Sequence, residues 1–139
     1  MTAYRHEYKH EINTSDFITL SMRLNAALKA NEFARADGAY EITSLYFDDV
    51  YGTALKEKLN GVSCRDKFRL RRYNDDIEHI KLEKKSKRGG LCLKECAVIT
   101  AAQAQSIIGG DIDFLTAQGG VMAELYSAVL VSYNGEYMG

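Results

Sequence analysis

Between residues 64 and 99 apolar and polar positions alternate through three successive stretches, 64–73, 77–87 and 91–99. A period of two is the signature of a strand with one buried face. In the first stretch Phe68 and Leu70 alternate with Lys67, Arg69, Arg71 and Tyr73; in the second, Ile80 and Leu82 alternate with Lys81, Glu83, Lys85 and Lys87. "NDD" (74–76) and "RGG" (88–90) separate them, which predicts a three-stranded antiparallel meander. "YRHEYKHEI" (4–12) repeats the alternation, with Arg5, Glu7, Lys9 and Glu11 on one side and Tyr4, Tyr8 and Ile12 on the other. "YEITSLYFDD" (40–49) predicts another strand and "AVLVSY" (128–133) a sixth.

Helical spacing fills the intervals. "NTSD" (13–16) is a capping signal, after which Phe17, Leu20, Leu24 and Leu28 share one stripe of a helix running to about residue 31. A short helix over 50–61 stops at Asn60-Gly61, Thr100 caps another that ends at Gly109-Gly110, and one more spans about 120–128. "FDD" (47–49) reads most simply as a cap for the helix after it. With 139 residues and no proline, repeat or low-complexity linker, the chain is expected to be a single α+β domain, 1–139, with a mainly antiparallel sheet.

Charge changes this picture through its distribution. The formal net charge is only −1, so no global field points to DNA or an anionic membrane. Yet residues 65–94 hold 11 of the 18 Lys and Arg against five acids. A solvated sheet face mixes Lys with Glu, whereas this one is nearly all cationic on neighbouring strands. Each close like pair costs about 4 kcal/mol at 4 Å and an effective dielectric near 20, and a bound polyanion would turn that repulsion into affinity. Arg suits bidentate phosphate contacts and Lys adds point charge beside it. Glu7 and Glu83 can hold lysines in place or ligate a hard divalent cation. "SKRGGLCLK" lacks the order of a phosphate-binding P-loop.

The N-terminus is charged from its fifth residue and has no apolar core of a signal peptide, and no run is long enough to span a membrane. Three cysteines, with Cys92 and Cys96 about 13 Å apart along a strand, predict free thiols and a cytoplasmic protein. His6, His10 and His79 read as surface residues, and Tyr46, Phe47 and Tyr73 as packing.

"RHEYKHEI", "SLYFDDVYGTALKEKLNG", "RDKFRLRRY" and "IKLEKKSKRGG" together resemble the polyphosphate polymerase (VTC) domain of the triphosphate tunnel metalloenzyme, or CYTH-like, superfamily, over about residues 4–118. The resemblance implies antiparallel strands forming part of a tunnel-like barrel with a charged lumen and helices packed outside. It implies an ATP-dependent phosphotransferase that adds the terminal phosphoryl group of ATP to inorganic polyphosphate with Mn2+ or Mg2+. By the resemblance Lys9, Arg69, Arg71 and Lys85 are the catalytic phosphate-binding residues, and Glu7 and Glu83 are their acidic, metal-side partners. Alternation adds Lys67, Lys81, Lys87 and Lys94, and Arg5 joins them from the charged line of the first strand. Arg72 falls on the other face.

An eight-stranded tunnel needs eight strands, and the pattern supplies six. The expectation is therefore an N-terminal portion that lacks the C-terminal strands of the family. Such a half-tunnel would be a poor polymerase alone, with an open edge near 128–133 through which copies could associate. A triphosphate hydrolase of the same superfamily and a non-catalytic module binding polyphosphate or RNA are the other readings. RNA readers favour aromatic platforms, and only Tyr73 lies on the charged lines.

Overall fold

A computed structural model describes residues 3–49 and 51–132. Its elements are β1 (Arg5–His6), α1 (Thr14–Ala27), β2 (Ile42–Tyr46), α2 (Thr53–Leu59), β3 (Cys64–Tyr73), β4 (Ile80–Arg88), β5 (Leu91–Ile99), α3 (Ala101–Ile108), a 3-10 turn (Asp113–Ala117) and α4 (Gly120–Ser132). The fold class is α+β, as expected. The five strands form one antiparallel sheet in the order β1-β5-β4-β3-β2, and the sheet is not closed.

The three-stranded meander lies where the alternation put it. Gly89 and Gly90, at φ of 55° and 90°, make the two-residue turn from β4 into β5, the left-handed pair that matches the twist of a tight hairpin. Leu70 faces Leu82 and Leu82 faces Ala97 across the ladder. Leu70, Leu82 and Ile99 are buried against Ala104, Ile107, Ile112, Leu115, Met122 and Leu125, and Phe68 and Ile80 pack at the margin. The covering by α3, the 3-10 turn and α4 therefore lies on one side of the sheet, and the opposite face of β3, β4 and β5 is left without them.

Caps form where the sequence signals them. Asn13 and Asp16 exchange side-chain to backbone hydrogen bonds, as do Thr100 and Gln103. The Asp48 carboxylate accepts from the Ala54 and Leu55 amides and Asp49 accepts from Tyr51 and Thr53. "FDD" is thus a helix cap, as its simpler reading held.

Several boundaries differ, each for a physical reason. The strand expected over 4–12 pairs only at Arg5 and His6. Its register sets His6 opposite Leu91, the first residue of β5, so the next residues run past the hairpin end and find no ladder. β2 is shorter than 40–49, because beyond Tyr46 the chain leaves the sheet to cap α2. β4 begins at Ile80 and not at 77, since the Asp76 carboxylate holds the Glu78 and His79 amides in a longer turn. α1 ends at Ala27, short of 31, and Phe17, Leu20, Leu24 and Leu28 are exposed. α2 starts at Thr53, and Val50 lies outside the described residues.

The largest correction is at 128–133. Residues 128–132 continue α4, and Tyr133 lies outside the described residues. A short apolar run has no period of its own, and the helical spacing of buried Met122 and Leu125 carries it on as helix. The strand count is therefore five among the described residues, and the edges belong to β1 and β2, not to 128–133.

Leu82 is fully buried at the centre of the covered face. Leu82→Ala should lower unfolding free energy by about 2–5 kcal/mol, measured by urea denaturation. A loss below about 1 kcal/mol would contradict this placement of the core.

Candidate functional site

The open face is built by the same register that builds the core. Across β3 and β4, Arg65 opposes Lys87, Lys67 opposes Lys85, Arg69 opposes Glu83 and Arg71 opposes Lys81; across β4 and β5, Lys85 opposes Lys94. Opposed residues of an antiparallel pair project from the same face. The three strands therefore set eight cations around one carboxylate. Arg5 joins from β1, opposite Cys92, and Ser44 and Tyr46 from β2, opposite Arg71 and Arg69.

Glu83 organises this face. Its side chain is 1% exposed, and Oε2 accepts from Arg69 Nε at 2.7 Å with Arg69 Nη2 at 2.6 Å. Arg71 Nε lies 4.0 Å from the same oxygen, and Lys94 Nζ lies 3.5 Å from Oε1. Burial alone would push the Glu83 carboxyl up. The Arg69 hydrogen bond and the charges of Arg69, Lys94 and Arg71 outweigh burial and hold it below the usual glutamate range. One carboxylate thus fixes three cations, two of them arginines two residues apart on β3.

β2 completes the clamp. Arg69 Nη1 donates to the Tyr46 hydroxyl at 2.9 Å, and Arg71 Nε donates to Ser44 Oγ at 3.3 Å. Burial favours the neutral Tyr46 phenol, but the Arg69 hydrogen bond and the charges of Arg69, Lys67 and Arg71 pull its pKa below the ordinary tyrosine value. Lys67 Nζ lies 5.4 Å from the centre of the Tyr46 ring. At the far end Lys81 Nζ lies over the stacked rings of Phe33 and Tyr73, at 5.4 and 5.5 Å.

The segment after β1 crosses this face without pairing. Glu7 Oε2 accepts from Lys85 Nζ at 2.5 Å, and Lys9 Nζ stands 3.7 Å from the other Glu7 oxygen with its side chain 85% exposed. Lys85 holds the Glu7 carboxyl below its usual range. Two cavities meet at this pair. One of about 170 Å³ is lined by Arg5, Arg69, Lys85 and Lys94, and one of about 350 Å³ by Lys9, Lys58, Arg65, Lys67, Lys85 and Lys87; Glu7 and Cys92 line both.

The residues singled out from sequence thus lie together. Arg5, Lys67, Arg69, Arg71, Lys81, Glu83, Lys85, Lys87 and Lys94 share the face, and Glu7 and Lys9 overhang it. Arg72 is opposite Thr43 on the covered side, and His79 pairs with Asp76 near its turn. Cys64, Cys92 and Cys96 are free. Sequence reasoning took Tyr46 for packing, which its hydrogen bond from Arg69 on the cationic face corrects, and passed over Ser44, Lys58 and Arg65. Alternation around Leu45 carries Tyr46 and Ser44, and Arg65 stands on the charged line of β3, but nothing periodic marks Lys58 on α2.

A larger cavity, about 600 Å³, opens on the other side of the sheet beside Asp49, Asp66, Lys84 and Glu124. There Lys84 donates to Glu124, with Asp66 at 3.8 Å and Glu95 at 4.0 Å. Two lysines line it: Lys84 is saturated by carboxylates, and Lys67 carries its ammonium over the Tyr46 ring, so size alone does not make it an anion site. Among the described residues no group of three or more His, Cys, Asp or Glu side chains is placed to hold a metal ion, and no helix is long and apolar enough to cross a membrane.

A family model described as VTC domain matches residues 4–134 of the chain. No curated protein matches it.

Glu83→Gln should lower stability at neutral pH by about 3 kcal/mol, since it leaves the half-buried guanidinium groups of Arg69 and Arg71 short of their counter-charge. A carboxyl whose folded pKa is depressed stabilises above its unfolded pKa, about 4.3 for glutamate. That contribution is lost as pH falls through the folded value. Denaturation from pH 7 to pH 3 should therefore show a shallower acid decline for Glu83→Gln than for wild type. Parallel curves would show that Glu83 is not an ionised anchor.

Proposed function

The chain belongs to the VTC domain family, a family related to polyphosphate polymerases, and we propose that its cationic sheet face binds inorganic triphosphate and polyphosphate and receives the triphosphate of ATP. The observation that carries this reading is the Glu83-centred cluster, in which Arg69, Arg71 and Lys94 are fixed side by side on an open face. Phosphoryl transfer needs little covalent chemistry from a protein; it needs reactants in line and charge neutralised on the moving group. Arg69 and Arg71, immobilised through Glu83, Tyr46 and Ser44, would orient phosphate oxygens with little side-chain ordering left to do. Lys85, Lys94 and Lys9 would neutralise neighbouring units, and Arg5, Lys67, Lys81 and Lys87 would extend the field.

A divalent cation, Mn2+ or Mg2+, would supply further neutralisation and hold the phosphates in register when bound. The chain's donors suit it only together with phosphate oxygens, the usual mode for Mg2+. Glu7 is the more accessible carboxylate, whereas Glu83 is buried, its Oε2 bonded by Arg69 and its Oε1 without a hydrogen bond among the described residues, with Lys94 at 3.5 Å, and fits the other role open to it, holding cations in place. An RNA-binding reading finds less support, because Tyr46 and Tyr73 are engaged by other groups: Lys67 and Arg69 lie over Tyr46, and Phe33 and Lys81 lie against Tyr73.

Calorimetric titration should give affinity rising from orthophosphate through pyrophosphate to triphosphate, and weakening with added salt. The Arg69→Ala/Arg71→Ala variant should lose about a hundredfold for triphosphate, from charge-assisted bonds worth about 1.5–3 kcal/mol each. Equal affinity for all three anions would contradict an extended site. Incubation with ATP and Mn2+ tests the transfer step: polymer that disappears in the same variant supports polymerisation, and orthophosphate release without polymer favours a triphosphatase.

A further inference from the structure

The cationic face does not end at the Glu83 cluster. Past the Glu7–Lys85 pair the cleft of about 350 Å³ is lined by cations from three elements: Lys58 on α2, Arg65 and Lys67 on β3, and Lys87 on β4. Its one acid is Glu7, already paired with Lys85. Among the described residues no carboxylate lies within ion-pair distance of Lys58, Lys67 or Lys87, in contrast to Arg69, Lys85 and Lys94. Arg65 is tethered by Nη1, which donates to the Val62 carbonyl at 2.8 Å. Lys58, Arg65 and Lys67 also line the adjoining cleft of about 250 Å³, between α2 and the sheet edge at Tyr46.

Position in the last turn of α2 favours any cation through the helix dipole. That accounts equally for Lys56 and Lys58, but only Lys58 turns into this cleft. Lys67 carries the strain of the grouping: burial, then the like charges of Lys85, Lys58 and Arg69, draw its ammonium pKa below the ordinary lysine value, against the opposing Tyr46 phenol. A group of unpaired cations around a cavity, continuous with a clamped set, is suited to the next stretch of a linear anion.

We propose that Lys58, Arg65, Lys67 and Lys87 form a second anion subsite, which takes the phosphate units of a chain too long for the Glu83 cluster and so confers preference for long polyphosphate over triphosphate. The proposal rests on the reading of the face as a phosphate site. Binding there leaves the clamped cluster free to hold the chain end, and α2 becomes a wall of the path.

The test compares wild type, Lys58→Ala and, as a control that removes the same charge away from the cleft, Lys29→Ala. Each is titrated with triphosphate and with long-chain polyphosphate. Lys58 is exposed, so its replacement leaves the core untouched. Lys58→Ala should weaken long-chain binding about three- to tenfold, the worth of one partly solvated charged contact, and change triphosphate affinity less than about twofold, with Lys29→Ala close to wild type. Equal losses for both anions, no loss for either, or the same loss in Lys29→Ala would overturn the subsite while leaving the phosphate-site reading intact. Wild type that binds neither anion would overturn both.

Discussion

Glu83 is buried on a strand whose neighbours on the same face are Lys81, Lys85 and Lys87, and the placing of Arg69, Arg71 and Lys94 depends on its ionisation. Like charges opposite each other on antiparallel strands repel, and β3, β4 and β5 place Lys67 against Lys85 and Lys85 against Lys94. A sheet face of that kind needs counter-charge, from the chain or from a ligand. Glu83 supplies it at the centre, where Arg69, Arg71 and Lys94 converge. Glu7 supplies it at Lys85. Toward α2 no carboxylate of the described residues lies within ion-pair distance of Lys58, Lys67 or Lys87. Order in the centre and unspent charge beside it arise from the same shortage of acids.

The sheet keeps two electrostatic regimes apart. Lys84 and Lys85 are sequence neighbours that point to opposite faces. Lys84 meets Asp66, Glu95 and Glu124 on the covered side, next to the cavity of about 600 Å³, and is neutralised there. Lys85 stands among cations on the open side. The larger space is on the side where the charge is spent, so the functional reading follows the unbalanced charge and not the volume.

Much of this was legible because Phe68, Leu70, Ile80 and Leu82 are apolar at every second position, which fixes the faces of β3 and β4 without knowledge of partners. The site residues on those strands followed from the same period. Other features are encoded in contacts that periodicity does not carry. Tyr46 and Phe47 are adjacent aromatics, and only the register against Arg69 decides that Tyr46 joins the cations while Phe47 enters the core. Lys58 depends on which face of a seven-residue helix meets the sheet. At 4–12 the alternation is sound, but the ladder stops where β5 begins. At 128–132 an apolar run reads as strand or helix until the packing of Met122 and Leu125 decides.

The central claim is that the Glu83-clamped face, and not the larger cavity behind it, receives phosphate. Nuclear magnetic resonance of the isotope-labelled chain during triphosphate addition tests this most directly. The account predicts saturable shifts of the Arg69 and Arg71 Nε–H signals and of the Lys85 and Lys94 amides, with the amides of Lys84 and Glu124 unmoved. Shifts concentrated around Lys84, Asp66 and Glu124, with the arginine signals unchanged, would contradict it.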